Sequence, residues 1–212
     1  MARSREPRSS LCLYHLLKWS VVHPLFLTYF QGKIYGAENV PKNGPLLVVS
    51  NHASNFDPPL LSNCIQRPMA YMAKEELFRT PVFKQAIELY GAYPVKRGGN
   101  ARSAIKSALN RLERGWAVGI FLQGSRTKDA RISSPKQGAA LIAAKAKVPL
   151  LPVSLWGTQD IFVQGKKAPQ SVPVTVRIGE PILPPGSSDR DELMAVTQIC
   201  TDAIHTLHNL GR

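Results

Sequence analysis

The chain has 212 residues, 44% of them hydrophobic, enough to enclose one principal core and too few for several domains of ordinary size. Lys and Arg number 27 against 14 Asp and Glu, a formal charge of +13, so the surface draws anions, and nucleic acid, anionic lipid and phosphorylated substrates all stay open as partners. Cys12, Cys64 and Cys200 are odd in number, widely spaced and without a C-x-x-C pair, which argues against a disulfide framework or a zinc site and for a reducing compartment.

The first stretch, MARSREPRSS, is basic, and the next, LCLYHLLKWSVVHPLFLTYF, is apolar but broken by His15, Lys18, His23 and Pro24. A bilayer crossing wants about 20 nearly uninterrupted apolar residues, and no small-x-small cleavage site follows, so neither a spanning helix nor a cleaved leader fits. Two readings are left. Arg3, Arg5 and Arg8 ahead of Leu, Trp, Phe and Tyr favour a helical segment lying on an anionic membrane surface, and the other reading is a helix that packs on the domain. A boundary near Lys33 divides the chain into a membrane-associating N-terminal segment, 1–33, and an α/β domain, 34–212.

After the turn-rich QGKIYGAENVPKNG, short apolar runs alternate with helical patterns. The runs predict strands over Leu46–Val49, Met69–Ala73, Trp116–Leu122, Leu150–Leu155 and Val172–Ile178. Helices are predicted over Pro59–Gln66, Pro81–Tyr90, Ala101–Arg114, Gln137–Lys147 and Asp189–Asn209. This alternation predicts an α/β fold with a mostly buried central sheet flanked by helices. Ser188 and Asp191 resemble a capping box at the start of the last helix, whose Leu193, Val196, Ile199, Ala203, Ile204 and Leu207 make a core-facing stripe. His205 and His208 are assigned to its wet face rather than to a metal. No Walker-type or G-x-G-x-x-G loop is present, so nucleotide chemistry has no foothold.

The stretch PLLVVSNHASNFDPP sets a strand before a loop and a proline at a helix start after it, which places His52 and Asp57 at the carboxyl end of a strand, where open α/β sheets bind ligands. On a helix the two would diverge by about 140°, whereas a loop lets the carboxylate fold back onto the imidazole. An imidazole that donates from one nitrogen to a carboxylate keeps the other as an acceptor, and so serves as a general base for a hydroxyl. On spacing alone, Asp57 also reads as an ordinary N-cap and His52 as a turn histidine.

NHASNFD resembles the NH-x4-D block of the glycerolipid (lysophospholipid) acyltransferases, the family that includes 1-acyl-sn-glycerol-3-phosphate acyltransferase. GAYPVKRGG (Gly91–Gly99), FLQGSRT (Phe121–Thr127) and VPLLPVSLWG (Val148–Gly157) resemble its second, third and fourth blocks, in the family's order. The resemblance implies that His52 takes the proton of the sn-2 hydroxyl of lysophosphatidate while that oxygen attacks the thioester of acyl-carrier protein or acyl-CoA. Asp57 would hold the imidazole's tautomer. Phosphatidate would form without metal, cofactor or covalent acyl-enzyme, the oxyanion being held by backbone amides near the dyad. Arg126, with Gln123, Gly124 and Ser125 around it, and Lys96 and Arg97 beside Gly98 and Gly99, would bind the acceptor's phosphate. The implied protein is a monotopic or peripheral enzyme on an anionic membrane surface, its site facing the cytoplasm.

The third block has Leu122, Gln123 and Ser125 where the family usually has proline, glutamate and threonine, and the loss of the glutamate charge bears on the acceptor's identity. Glycerol 3-phosphate, another lysophospholipid or a lipid amine are the alternative acceptors. A non-catalytic basic protein that binds membrane or nucleic acid is the rival of another class. Aromatics at 8%, with no stretch interleaving them with cations, speak against nucleic acid.

Overall fold

β2 (Leu46–Ser50) is buried at every position because successive side chains point to opposite faces of a sheet that is covered on both sides. Leu46 and Val48 enter one core with Phe26, Phe30, Leu60, Leu61 and Ile65, while Leu47 and Val49 enter the other with Ala108, Leu112, Ile142 and Ile204. The structure is a computed structural model that describes residues 8–79, 84, 87–88, 91–95, 101–162 and 168–212. Arg3 and Arg5, most of the helix expected over Pro81–Tyr90, and Lys96, Arg97, Gly98 and Gly99 lie outside the described residues.

The other strands are β1 (Lys33–Tyr35), β3 (Met69–Lys74), β4 (Ala92–Val95), β5 (Ala117–Phe121), β6 (Leu150–Trp156) and β7 (Thr175–Ile178). Their order is β1-β7-β6-β2-β5-β3-β4, every neighbouring pair being parallel except β6 and β7. The predicted α/β class is observed, with a mixed sheet. β1 and β4 were not expected: both are edge strands, one three residues long and the other containing Pro94, which an edge tolerates because its missing N–H costs no ladder bond.

The described helices are α1 (Arg8–Leu17), α2 (Asp57–Ile65), α3 (Ala101–Glu113), α4 (Gly138–Ala146) and α5 (Arg190–Asn209), and α1 is continued by two π-helical segments, Lys18–Val22 and Leu25–Tyr29. Core residues of α2 share one face of the sheet with Phe26 and Phe30, and those of α3, α4 and α5 share the other. Arg67, 5% exposed, donates to the carbonyls of Pro41, Gly44 and Gly115 in the turns that lead into β2 and β5, so this cation is a brace at the opposite end of the strands from His52.

The N-terminal segment presents two faces. Tyr14, Phe26 and Phe30 are fully buried, the Tyr14 hydroxyl donates to the Ser62 carbonyl, and the Val174 amide donates to the Phe30 carbonyl. Lys18 turns inward too, its ammonium over the rings of Tyr14 and Trp19, and burial holds its pKa below the usual lysine value. On the outer face Leu16, Trp19, Val21, Leu27 and Tyr29 are exposed. No helix among the described residues is long and apolar enough to cross a membrane.

α5 corrects three expectations. Its N-cap is Asp189, and no box forms between Ser188 and Asp191; Glu192 instead accepts from the Ser187 amide at 2.7 Å. Its inward face carries Leu193, Thr197, Cys200, Thr201, Ile204 and His208, while Ile199 is 52% exposed. Thr197 and Thr201 are tolerated inside because each hydroxyl donates to the carbonyl four residues earlier. The two histidines are not on a wet face. His208 is buried against the Ser154 hydroxyl at 3.2 Å, and burial, with Arg131 and His205 nearby, lowers its pKa and favours the neutral ring. His205 accepts a hydrogen bond from the Ile132 amide.

Candidate active site

Residues 51–56 leave the carboxyl end of β2 and turn into α2, whose first residues are Asp57, Pro58 and Pro59. Proline costs nothing there, because the first N–H groups of a helix have no partner within it. Phe56 is the N-cap and makes no side-chain cap, so Asp57 is the first helical residue and its carboxylate points back along the loop. Asp57 Oδ2 lies 2.7 Å from His52 Nδ1 and accepts the amides of Ala53 at 2.7 Å and Ser54 at 2.8 Å. The carboxylate is completely buried, and its Oδ1 has no hydrogen-bond partner among the described residues. Its contacts therefore converge on one oxygen, and because a carboxylate only accepts, Nδ1 donates to it; in the neutral ring Nε2 is then the acceptor. The amides of Ala53 and Ser54 are engaged by Asp57, so these two near neighbours of the dyad do not serve an oxyanion.

The imidazole plane is fixed from below. Phe121, the last residue of β5, stacks on the His52 ring with centroids 3.9 Å apart and planes 11° apart, and Tyr71 of β3 lies beyond it at 6.3 Å. This row requires Gly119, since a Cβ there would stand 2.3 Å from the Tyr71 ring. The backbone of His52 is fixed as well, its carbonyl accepting the Thr127 amide at 2.9 Å. Asn51 closes the base of the loop. Its amide group donates to the carbonyls of Ala130 and Leu155 and accepts from the Leu155 amide, each at 2.8 Å.

The third block starts where β5 ends. Gly124 has φ +74, a conformation that costs an L side chain strain, and a Cβ there would also press on the Lys136 ammonium at 3.1 Å. Arg126 is exposed and donates from Nη1 to Asn55 Oδ1 at 2.9 Å, which brings the first and third blocks together. A neutral amide orients the guanidinium without cancelling its charge. Gln123 does not orient Arg126: its Oε1 accepts the Ser133 amide at 3.1 Å and braces the loop. Ser125 is exposed. The structure thus brings His52, Asp57 and Arg126 to one edge of the sheet, with Gln123 and Gly124 supporting them. Phe121, Asn51, Asn55 and Thr127 were not singled out from the sequence, and the contacts of Phe121 and Thr127 with His52, of Asn55 with Arg126 and of Asn51 with Ala130 and Leu155 carry no local pattern.

Chain-wide comparison fits this arrangement. A family model described as Acyltransferase matches residues 31–156, which contain both elements of the dyad and the whole third block. The chain belongs to the acyltransferase family. The chloroplast 1-acyl-sn-glycerol-3-phosphate acyltransferase BAT2 of Brassica napus is 34% identical to this acyltransferase-family chain over 143 residues, 66% of the chain and 41% of the plant protein. The 1-acyl-sn-glycerol-3-phosphate acyltransferase of Bacillus subtilis is 30% identical over 84% of the chain and 88% of its own length. The chain therefore spans about two fifths of the plant relative and most of the bacterial one. The crystal structure of the 1-acyl-sn-glycerophosphate (LPA) acyltransferase PlsC from Thermotoga maritima superposes with a TM-score of 0.68 at 27% identity, covering 93% of this chain and 86% of that one.

Proposed function

We propose that the chain transfers a fatty acyl group from a thioester, acyl-carrier protein or acyl-CoA, to the sn-2 hydroxyl of lysophosphatidate, giving phosphatidate. The observation that carries this reading is the dyad: a buried carboxylate oxygen that gathers three donors and holds His52 with Nε2 turned away from it. Nε2 takes the proton of the acceptor hydroxyl as that oxygen attacks the thioester carbonyl carbon. The tetrahedral intermediate then collapses, the carbon–sulfur bond breaks, and the departing thiolate takes the proton from the imidazolium. The buried Asp57 charge stabilises the imidazolium between those two steps. The names of the relatives, all 1-acyl-sn-glycerol-3-phosphate acyltransferases, support this acceptor. Incubating the full chain in liposomes with a panel of lysolipids and both thioesters, with products identified by mass spectrometry, tests the assignment. Phosphatidate as the main product supports it, and acylation of a different acceptor alone sinks it.

Arg126 is assigned the acceptor's phosphate, with Lys96 and Arg97 as companions. Arg126→Ala removes a charge-assisted contact and is expected to lower kcat/KM by roughly ten- to a hundredfold for lysophosphatidate, and by less for an acceptor without phosphate. Gln123→Glu keeps an oxygen facing the Ser133 amide, so less than about a tenfold change is expected. Equal losses from the two variants, or a new acceptor preference in the second, would remove lysophosphatidate as the substrate.

The acceptor and the acyl chain reach the dyad from a membrane. Leu16, Trp19 and Leu27 are 65%, 59% and 49% exposed on the outer face of the N-terminal segment. Phe30 packs on Phe56, and Phe56 on the exposed Phe162, so an aromatic row joins that segment to the residue before Asp57. Deleting the segment would also remove Phe26 and Phe30 from the core, at about 3 to 5 kcal/mol each, and would confound binding with unfolding. The cleaner variant replaces Leu16, Trp19 and Leu27 together with Gln. At about 1 kcal/mol per half-exposed side chain, liposome partitioning is expected to fall roughly a hundredfold with the fold intact. Undiminished flotation with liposomes would place the membrane contact elsewhere.

A further inference from the structure

His205 and His208 on α5 have no part in the chemistry proposed so far, and no third His, Cys, Asp or Glu joins them into a metal-holding group among the described residues. His205 is half-buried, and its Nε2 lies 3.2 Å from the backbone nitrogen of Ile132. An amide N–H can only donate, so Nε2 is the acceptor, and His205 carries its proton on Nδ1. Ile132 belongs to the segment that follows the third block, and this segment is tied at several points. The Ala130 carbonyl is held by Asn51, in a residue whose φ of 56° is left-handed without being glycine. The Ser133 amide is held by Gln123. Between these points the Arg131 carbonyl accepts from the Thr127 hydroxyl, which lies 3.3 Å from the His52 carbonyl and divides its one proton between the two, while the Thr127 amide donates to the His52 carbonyl throughout.

One continuous set of hydrogen bonds and short covalent links thus runs from the last helix to the backbone of the proposed base: His205, Ile132, Arg131, Thr127, His52. We propose that His205 is a positioning residue for the reaction proposed above, fixing the 127–133 segment as a hydrogen-bond acceptor and through it the main chain of His52. The residue touches neither substrate nor reacting atoms. It makes α5, which lies outside the 31–156 match, part of the working site. Without an acceptor at 205 the Ile132 amide is stranded beside a core side chain, because Ile132 is only 4% exposed, and the segment must shift to find another partner.

The full chain and two variants test this. His205→Leu fills much of the space without an acceptor, and His205→Gln restores an acceptor oxygen. In the leucine variant, hydrogen exchange at the Ile132 and Thr127 amides is expected to accelerate by about tenfold or more and kcat to fall by about tenfold, with the acceptor's KM changed by less than about twofold. The glutamine variant is expected to recover most of both losses. In the unmodified protein, nitrogen NMR of the ring should find Nε2 unprotonated and Nδ1 protonated. Leucine and glutamine variants equally impaired would reduce His205 to a packing residue and overturn the proposal, as would unchanged exchange and kcat in the leucine variant, or a proton on Nε2. Should the leucine variant fail to fold, the ring NMR of the unmodified protein and amide exchange in the glutamine variant decide the matter. A chain without acyl transfer to any acceptor sinks the enzymatic reading, and with it the role of His205 in turnover. Unchanged amide exchange in an active enzyme sinks only this proposal.

Discussion

His52→Ala is expected to lower turnover by at least about a hundredfold, the lower scale for losing a general base, while membrane binding and fold persist. The fold should survive because the contact that anchors the loop uses the His52 carbonyl, which accepts the Thr127 amide in any residue at that position. What disappears is Nε2, the ring's stacking on Phe121 and one of the three donors to Asp57 Oδ2, which keeps the Ala53 and Ser54 amides. Acyl transfer to lysophosphatidate, measured beside the thermal midpoint, separates the two effects. Turnover close to that of the parent chain would end the general-base mechanism. A parent chain with no transfer at all would leave a binding protein.

Asp57→Asn is expected to cost between about a hundredfold and ten-thousandfold in kcat at nearly unchanged stability, whereas Asp57→Ala should cost activity and stability together. The difference follows from the three donors on Oδ2. Asparagine still offers an oxygen to the Ala53 and Ser54 amides. Because all three donors meet on one oxygen, the oxygen that serves those amides also faces His52, and the charge that stabilises the imidazolium is gone. Alanine leaves two loop amides without an acceptor, about 1 to 3 kcal/mol each where they are buried, a large part of an ordinary domain's 5 to 15 kcal/mol. Kinetics paired with thermal unfolding of both variants checks this. An asparagine variant with near-parental kcat would leave Asp57 a structural role only.

The parts of the fold that were legible are those written in local pattern. β2, β5 and β6 are apolar runs because both faces of the sheet are covered, and the His52–Asp57 contact is legible because a six-residue loop between a strand and a proline-marked helix brings the two together. Edge strands escaped notice for the converse reason: β1 has three residues, and β4 carries a proline that a central strand would reject. On α5 the apolar count misled, because threonine becomes an inward residue once its hydroxyl is satisfied by its own helix, while Ile199 stays outside. Hydrogen bonds across the site were illegible. Asn55 and Arg126 are 71 residues apart, His52 and Thr127 75, and Ile132 and His205 73, and no periodicity spans such intervals. For the same reason the sequence grouped Gln123 with Arg126 at the acceptor's phosphate and left Asn55 without a role, whereas Gln123 holds the Ser133 amide and Asn55 accepts from Arg126.

The placing of β1 beside β7 bears on how the chain is made. Lys33 pairs with Thr175 and Tyr35 with Arg177, and Phe26 and Phe30 share a core with Val174, Val176 and Ile178. On a ribosome those partners emerge about 140 residues after the segment that needs them, which at roughly 5 to 20 residues per second is a delay on the order of ten seconds. Throughout that interval Phe26 and Phe30 have only the part of their core that β2 and α2 supply, and the outer Trp19 and Leu27 stay uncovered, so the nascent N-terminus exposes more apolar surface than it does in the finished fold. If the outer face binds a bilayer as proposed above, that contact is available during synthesis, before β1 and β7 close the sheet, and the late pairing completes the cover over Phe26 and Phe30 while the outer face stays exposed.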